Sequence, residues 1–246
     1  MRTLVLWDVD HTLIDAGGFS RRLYAAAFAK VTGRTLKRLA PMAGRTERAI
    51  AAETLTLNGL AASETALLDL CAALAAEFAA HEARICEHGR ALPGAAAALA
   101  ALATRPGVVQ SVLTGNIQSV AVSKLSAFGL AGHLDFAVGA YGMDHADRPR
   151  LVRLAQERAA SAYGHRFSRE STVLIGDTPN DVTAGHLGGA RVVAVATGYS
   201  DRAALENARA DVVLDDLTDT AAVVATILGR SRRSSHRAAS NPVDSA

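Results

Sequence analysis

Short apolar runs recur along this chain, and each ends on a polar cluster. The first is Thr3–Trp7, "TLVLW", which stops on Asp8. A short continuous apolar run bounded in this way reads as a strand buried on both faces. Similar runs occupy 109–113, 134–138, 172–175, 191–195 and 212–214. Between them lie stretches of helical spacing. In 116–128, Ile117, Val120, Lys124 and Phe128 recur at helical intervals. Pro149 opens 149–163, and Pro179 opens 179–187 behind Thr178, a helix-capping residue. Two further helices fit at about 201–209 and 217–228. Alternating strands and helices predict the α/β class with a parallel sheet.

Residues 16–90 break that rhythm. They carry no strand pattern and fit three helices, about 19–32, 46–58 and 63–87. The last places Leu67, Leu70, Cys71, Leu74, Phe78 and Ile85 on one face. The expected organisation is a discontinuous α/β core, 1–16 and 90–229, with an all-helical insertion over 17–89. Half the residues are hydrophobic, enough for a sizeable core. The formal charge of +2 is set by the last residues, where Arg230, Arg232, Arg233 and Arg237 face only Asp244. The rest is near neutral, so charge gives no argument for nucleic acid. The segment 230–246 has no apolar period and is expected to be disordered. There are two cysteines, Cys71 and Cys86. On one helix they would lie roughly 22 Å apart, too far for a mutual disulfide. Both are expected in the core of the helical insertion. Cysteine usage fits a reducing cytoplasm. An acid at Asp8 argues against a secretory signal, and no apolar stretch is long enough to span a bilayer.

In an open parallel sheet, ligands sit at the carboxyl ends of the strands. Three of the expected strand ends carry matching chemistry. The first offers Asp8, Asp10 and Thr12. The second offers Thr114, Gly115 and Asn116, and the fourth offers Gly176, Asp177 and Asp181. Arg148 precedes the helix after the third run. Converging carboxylates repel unless a cation joins them, and oxygen ligands of this kind select Mg²⁺. Mg²⁺ on one or two carboxylates commonly also holds a substrate phosphate. Asp8 is then suited to attack phosphorus and Asp10 to move a proton. Thr114, the Asn116 amide and Arg148 are suited to hold phosphoryl oxygens.

These residues, in this order, resemble the motifs of the haloacid dehalogenase superfamily, in its phosphoglycolate-phosphatase-like branch with a helical cap. Asp8, Asp10 and Thr12 match D-x-D-x-T, Thr114 matches the strand-end Ser or Thr, and Gly176, Asp177 and Asp181 match G-D-x-x-x-D. The resemblance spans residues 1 to about 228. It implies a Rossmann-like core and a cap, with "AGRTERAI" (43–50) facing the substrate and Arg45 as a contact. It also implies Asp8 as nucleophile and Mg²⁺ ligand. Asp10 would be acid/base and offer its backbone carbonyl to the metal. Asp177 would be the remaining protein ligand, with Asp181 and Thr12 supporting from behind. Dehalogenases lack the second Asp of D-x-D, so Asp10 points to phosphate esters. Two positions depart from the pattern: Arg148-Pro149 stands where Lys-Pro is usual, and His11 stands where Gly is usual.

The expected activity is a Mg²⁺-dependent phosphatase acting on a small phosphorylated metabolite through a phosphoaspartate. Phosphosugar mutase-type transfer and a non-catalytic phosphate-binding module are the alternatives. No nucleic acid or membrane partner is expected, and the chain is expected to be a monomer or homodimer. Helix capping is the plain structural account of Thr114, Asp177 and Asp181, and it is compatible with a functional one.

Overall fold

The computed structural model describes residues 2–229; the expected disordered tail, 230–246, lies outside them. Five strands form one parallel sheet: β1 (Thr3–Trp7), β4 (Val108–Val112), β5 (Thr172–Gly176), β6 (Arg191–Val195) and β7 (Val212–Leu214). Their order is β4-β1-β5-β6-β7. Each is short and nearly all apolar because helices cover both faces. One face packs Val5, Trp7, Val112, Val173 and Ile175 against Leu99, Leu125 and Ile227. The other packs Leu4, Leu6 and Leu174 against Leu151, Val152 and Ala155. The covering helices are α5 (Ala95–Ala103), α6 (Gln118–Ala127), α7 (Arg148–Tyr163), α8 (Pro179–Gly188), α9 (Arg202–Asn207) and α10 (Thr220–Ile227).

One expected strand is absent. Residues 134–138 do not join the sheet, and Phe136–Val138 forms a 3-10 turn. The Asp135 side chain accepts from Ala137 N at 3.0 Å and bends the chain there. Asp135 N donates to Gln110 O and Ala140 N to Val112 O. The chain therefore follows the β4 edge but carries more residues than β4 between those anchors, so a regular ladder cannot form.

The helical insertion leaves and returns through a two-stranded antiparallel ribbon, β2 (Ile14–Asp15) with β3 (Arg90–Ala91). Between them run α1 (Phe19–Thr32), α2 (Glu47–Leu57), α3 (Glu64–Ala80) and the single turn α4 (Ile85–His88). They share one core of Phe19, Tyr24, Phe28, Ile50, Leu70, Leu74 and Phe78, which extends to Val120 of α6. The expected single helix over 63–87 ends at Ala80. His81 caps it with φ −118°, and a 3-10 turn, Glu82–Arg84, redirects the chain towards the sheet. Cys71 is buried as expected. Cys86 is exposed, and its thiol donates to Ala127 O at 2.9 Å, so it is not a core residue. No helix among the described residues is long and apolar enough to cross a membrane.

Candidate active site

The sheet order places β1 between β4 and β5, so the three polar strand ends lie side by side. Chain connections diverge to either side of β1, which opens a crevice at its carboxyl end. A cavity of about 460 Å³ occupies that position, lined on its far side by residues of α1, α2, α3 and the loop before α2. Asp8, Asp10, Arg45, Thr114, Gly115, Asn116, Arg148 and Asp177 all line it. Thr12 and Asp181 do not; both are fully buried behind it.

Asp8 lies one residue beyond β1, and its N–H still donates to Ile175 O at 2.8 Å. The chain then turns tightly: His11 N donates to Ile14 O, and Leu13 N donates to Val9 O. His11 makes this turn with φ 61°, the left-handed conformation that a Gly would adopt freely. Its carbonyl accepts from Thr197 Oγ1 at 2.5 Å, and its ring meets Tyr199 edge-on at 4.8 Å.

The two aspartates ahead of this turn meet different partners. Asp8, Asp177 and Asp181 form a buried carboxylate cluster whose ligand atoms lie within 4.8 Å of one another. Burial, with the neighbouring carboxylates adding to it and Arg148 opposing, pushes Asp8 up to about 7. Burial and the charges of Asp8 and Asp181 push Asp177 up to about 8. Asp181 is already engaged. It accepts from Thr178 N and Oγ1 in a capping box at the start of α8, and from Arg148 Nη2 at 2.6 Å. Gly176 makes room for it, since a Cβ there would lie 2.4 Å from Asp181 Cγ.

Arg148, the first residue of α7, is buried between Asp181 and Asp8, with Nη2 3.1 Å from Asp8 Oδ1. Its Nε is buried and makes no hydrogen bond. A guanidinium in this place supplies positive charge beside Asp8.

Asp10 faces a different partner. Lys124 Nζ lies 2.8 Å from both Asp10 oxygens and 2.8 Å from Asn116 Oδ1. Asn116 Nδ2 donates to Asp10 Oδ2 at 2.7 Å and to Thr114 Oγ1 at 2.8 Å. Burial alone would raise Asp10, but Lys124 and Asn116 hold it below the usual carboxylate value. Lys124 itself is 2 % exposed and lies over the Phe78 ring at 5.3 Å. Sequence reading placed Lys124 in the helical pattern of α6 and gave it no role at the site. The signal was present: a lysine at the spacing of Ile117, Val120 and Phe128 must bury its charge or find a partner.

The insertion meets the sheet end through backbone. Glu47 N donates to Gly115 O at 2.8 Å, Arg48 N to Gly142 O at 3.1 Å, and Thr46 Oγ1 to Ala146 O at 2.8 Å. Gly115 is needed for this approach, because a Cβ there would lie 1.9 Å from Arg45 O. The Arg45 side chain turns to Glu53 at 2.6 Å and to Pro41 O at 3.2 Å. Glu47 and Tyr24 are both buried and both line the cavity; Glu47 falls within the 43–50 segment expected to face the substrate but was not singled out, and Tyr24 was missed from sequence.

Fold, motifs and site together place the chain in a family. The model of the haloacid dehalogenase-like hydrolases matches residues 5–186, and the chain belongs to that family. Among solved structures, CbbY from Rhodobacter sphaeroides in complex with phosphate is 23% identical, with a TM-score of 0.67, over 89% of this chain and 96% of that one. A mutant of CbbY in complex with xylulose-(1,5)bisphosphate is 21% identical, with a TM-score of 0.67 over the same shares. A predicted phosphoglycolate phosphatase from Haemophilus somnus 129pt is 17% identical, with a TM-score of 0.65, over 91% of this chain and 98% of that one. Among curated proteins, no sequence matches this chain.

Proposed function

We propose that this protein is a Mg²⁺-dependent phosphatase that hydrolyses a small phosphorylated metabolite through a phosphoaspartate on Asp8. One observation carries the reading. Two aspartates at the end of one strand line one cavity and meet different partners: Asp8 faces the carboxylate cluster and Arg148, and Asp10 faces Lys124 and Asn116. The first setting suits a metal-held nucleophile and the second a group that exchanges a proton.

The acidic cluster fits a hard divalent cation. Asp8 and Asp177 are carboxylates raised chiefly by burial, with neighbouring carboxylates adding to it, and Asp181 lies behind them. Asp8, Asp177 and the Asp10 carbonyl are the proposed ligands. When bound, Mg²⁺ would neutralise these charges and those of the phosphoryl oxygens. Asp8 then attacks phosphorus in line, and the bond to the ester oxygen breaks. The Asp10–Lys124 pair delivers a proton to that oxygen and regains one from the water that opens the phosphoaspartate. Arg148, Thr114 Oγ1 and backbone amides at 115–116 hold the phosphoryl oxygens. Residues 17–89 act as a cap that excludes bulk water, with 1–16 and 90–229 as the catalytic core.

Asp8→Asn should abolish hydrolysis of an aryl phosphate without lowering the melting temperature. Retained turnover would remove the mechanism. A screen of phosphorylated metabolites, read as released inorganic phosphate, then finds the substrate. Transfer of phosphate to a sugar in place of its release would indicate a mutase. Stabilisation by phosphate ligands without any turnover would indicate a binding module.

A further inference from the structure

Two polar side chains in the cavity lie beside one another and are incompletely satisfied. Glu47, at the start of α2, is 5 % exposed, and its Oε1 makes no well-formed hydrogen bond. Tyr24, on α1, is 0 % exposed, and its hydroxyl approaches Glu47 and Thr54 without a well-formed hydrogen bond to either. Buried polar groups left in this way cost stability unless a ligand satisfies them. Both line the cavity that holds Asp8, and the backbone of Glu47 is fixed to Gly115 beside the phosphoryl-binding residues. The surrounding wall is apolar, with Ile50, Leu74, Phe78 and Val120.

The cations around the cavity are largely engaged. Lys124 is held by Asp10 and Asn116, Arg148 by Asp8 and Asp181, and Arg45 by Glu53. Among the described residues lining the cavity, Arg21 alone has no acidic partner, and it is exposed on α1. A second phosphate or a carboxylate on the substrate would therefore meet the Glu47 carboxylate with no buried cation to receive it. A hydroxyl would donate to Glu47 and satisfy it.

We infer that Glu47, with Tyr24, selects the leaving group: a hydroxyl-bearing monophosphate is accepted, and an ester with a second anionic group is refused. This rests on the phosphatase reading for its chemistry, while the selection itself is a property of binding. Matched pairs test it. Glycerol 3-phosphate and 3-phosphoglycerate differ by a hydroxymethyl against a carboxylate. Fructose 6-phosphate and fructose 1,6-bisphosphate differ by a second phosphate. Binding is measured calorimetrically on the Asp8→Asn protein with Mg²⁺ at pH 8, and kcat/KM on the protein with Asp8 intact.

The hydroxyl member of at least one pair should bind at least tenfold tighter than its anionic counterpart. Adding Glu47→Gln, nearly isosteric, should shrink that ratio at least fivefold, chiefly by improving the anionic member. Tyr24→Phe should weaken the hydroxyl member with less effect on the other. Ratios within twofold of unity, ratios unmoved by Glu47→Gln, or no binding by any of the four would overturn the inference. Discrimination in binding without turnover of any ester would instead remove the phosphatase reading and leave the selection standing. Aryl-phosphate turnover without discrimination would do the reverse.

Discussion

Asp8 and Asp10 are two residues apart and line one cavity, yet each meets a different neighbour. Lys124 is the residue that makes the difference, and its removal should be selective. Lys124→Met should lower kcat on the order of 10²-fold with KM changed only a few-fold, the mark of lost proton transfer. It should also destabilise the fold by about 1–3 kcal/mol, because Asp10 loses the cation that satisfied it. Steady-state kinetics and thermal melting check both. Glu47 carries the opposite signature. Burial pushes it up to about 7, with Lys124 and the Tyr24 hydroxyl opposing and Asp10 adding. Below the unfolded value, near pH 4.5, the group is protonated in both states and has no effect. Between there and pH 7 the unfolded chain releases the proton first, so stability falls as pH rises. Glu47→Gln should therefore raise the melting temperature at pH 8, on the order of 2–3 kcal/mol in stability, and change little at pH 4. The D-x-D pair, Thr114 and Asp177 were legible from residue type and spacing. Lys124, Glu47 and Tyr24 were not, because a single polar residue in an apolar helical face looks like packing until its partners are known. His11 was legible as a departure, and φ 61° accounts for it as a strained turn.

At the scale of elements, strands were read where both faces are apolar, and the sheet has them there. The exception, 134–138, is apolar because it packs beneath Tyr141 and α7; Asp135 and the spacing of its anchors on β4 decide its shape. No local pattern shows such a mismatch of length. The break in the 63–87 helix has the same origin. The apolar stripe continues to Ile85, which is buried, but the chain must turn back towards β3. Elements also meet through close backbone contacts that only small residues allow. Gly115→Ala would drive a Cβ into Arg45 O and separate the loop before α2 from the end of β4. The expected result is faster hydrogen exchange at the Glu47 and Arg48 amides, whose acceptors are Gly115 O and Gly142 O. Stability should fall by about 1–3 kcal/mol, and kcat/KM should fall with it.

For the whole molecule, the interruption in the strand–helix rhythm falls where α1 to α4 lie, and the four hydrophobic clusters among the described residues follow it. Three belong to the sheet and its covering helices and one to the inserted helices. The site lies where these bodies meet, so a ligand that bridges them should stabilise both. Mg²⁺ at a hundredfold its dissociation constant should add about 2.7 kcal/mol to stability. Asp177→Asn should remove most of that gain, and chelation should reverse it; differential scanning calorimetry reads both without reference to activity. The β2–β3 ribbon has a further consequence. Asp15 pairs with Arg90, so the chain departs from the sheet and comes back at neighbouring backbone positions. The ends to be joined are about one strand spacing apart, about 4.8 Å, whatever lies between them. To the sheet, the length and content of the insertion are invisible. Helices in that place can be lengthened, exchanged or replaced by a tight turn with the register of β1 and β4 untouched.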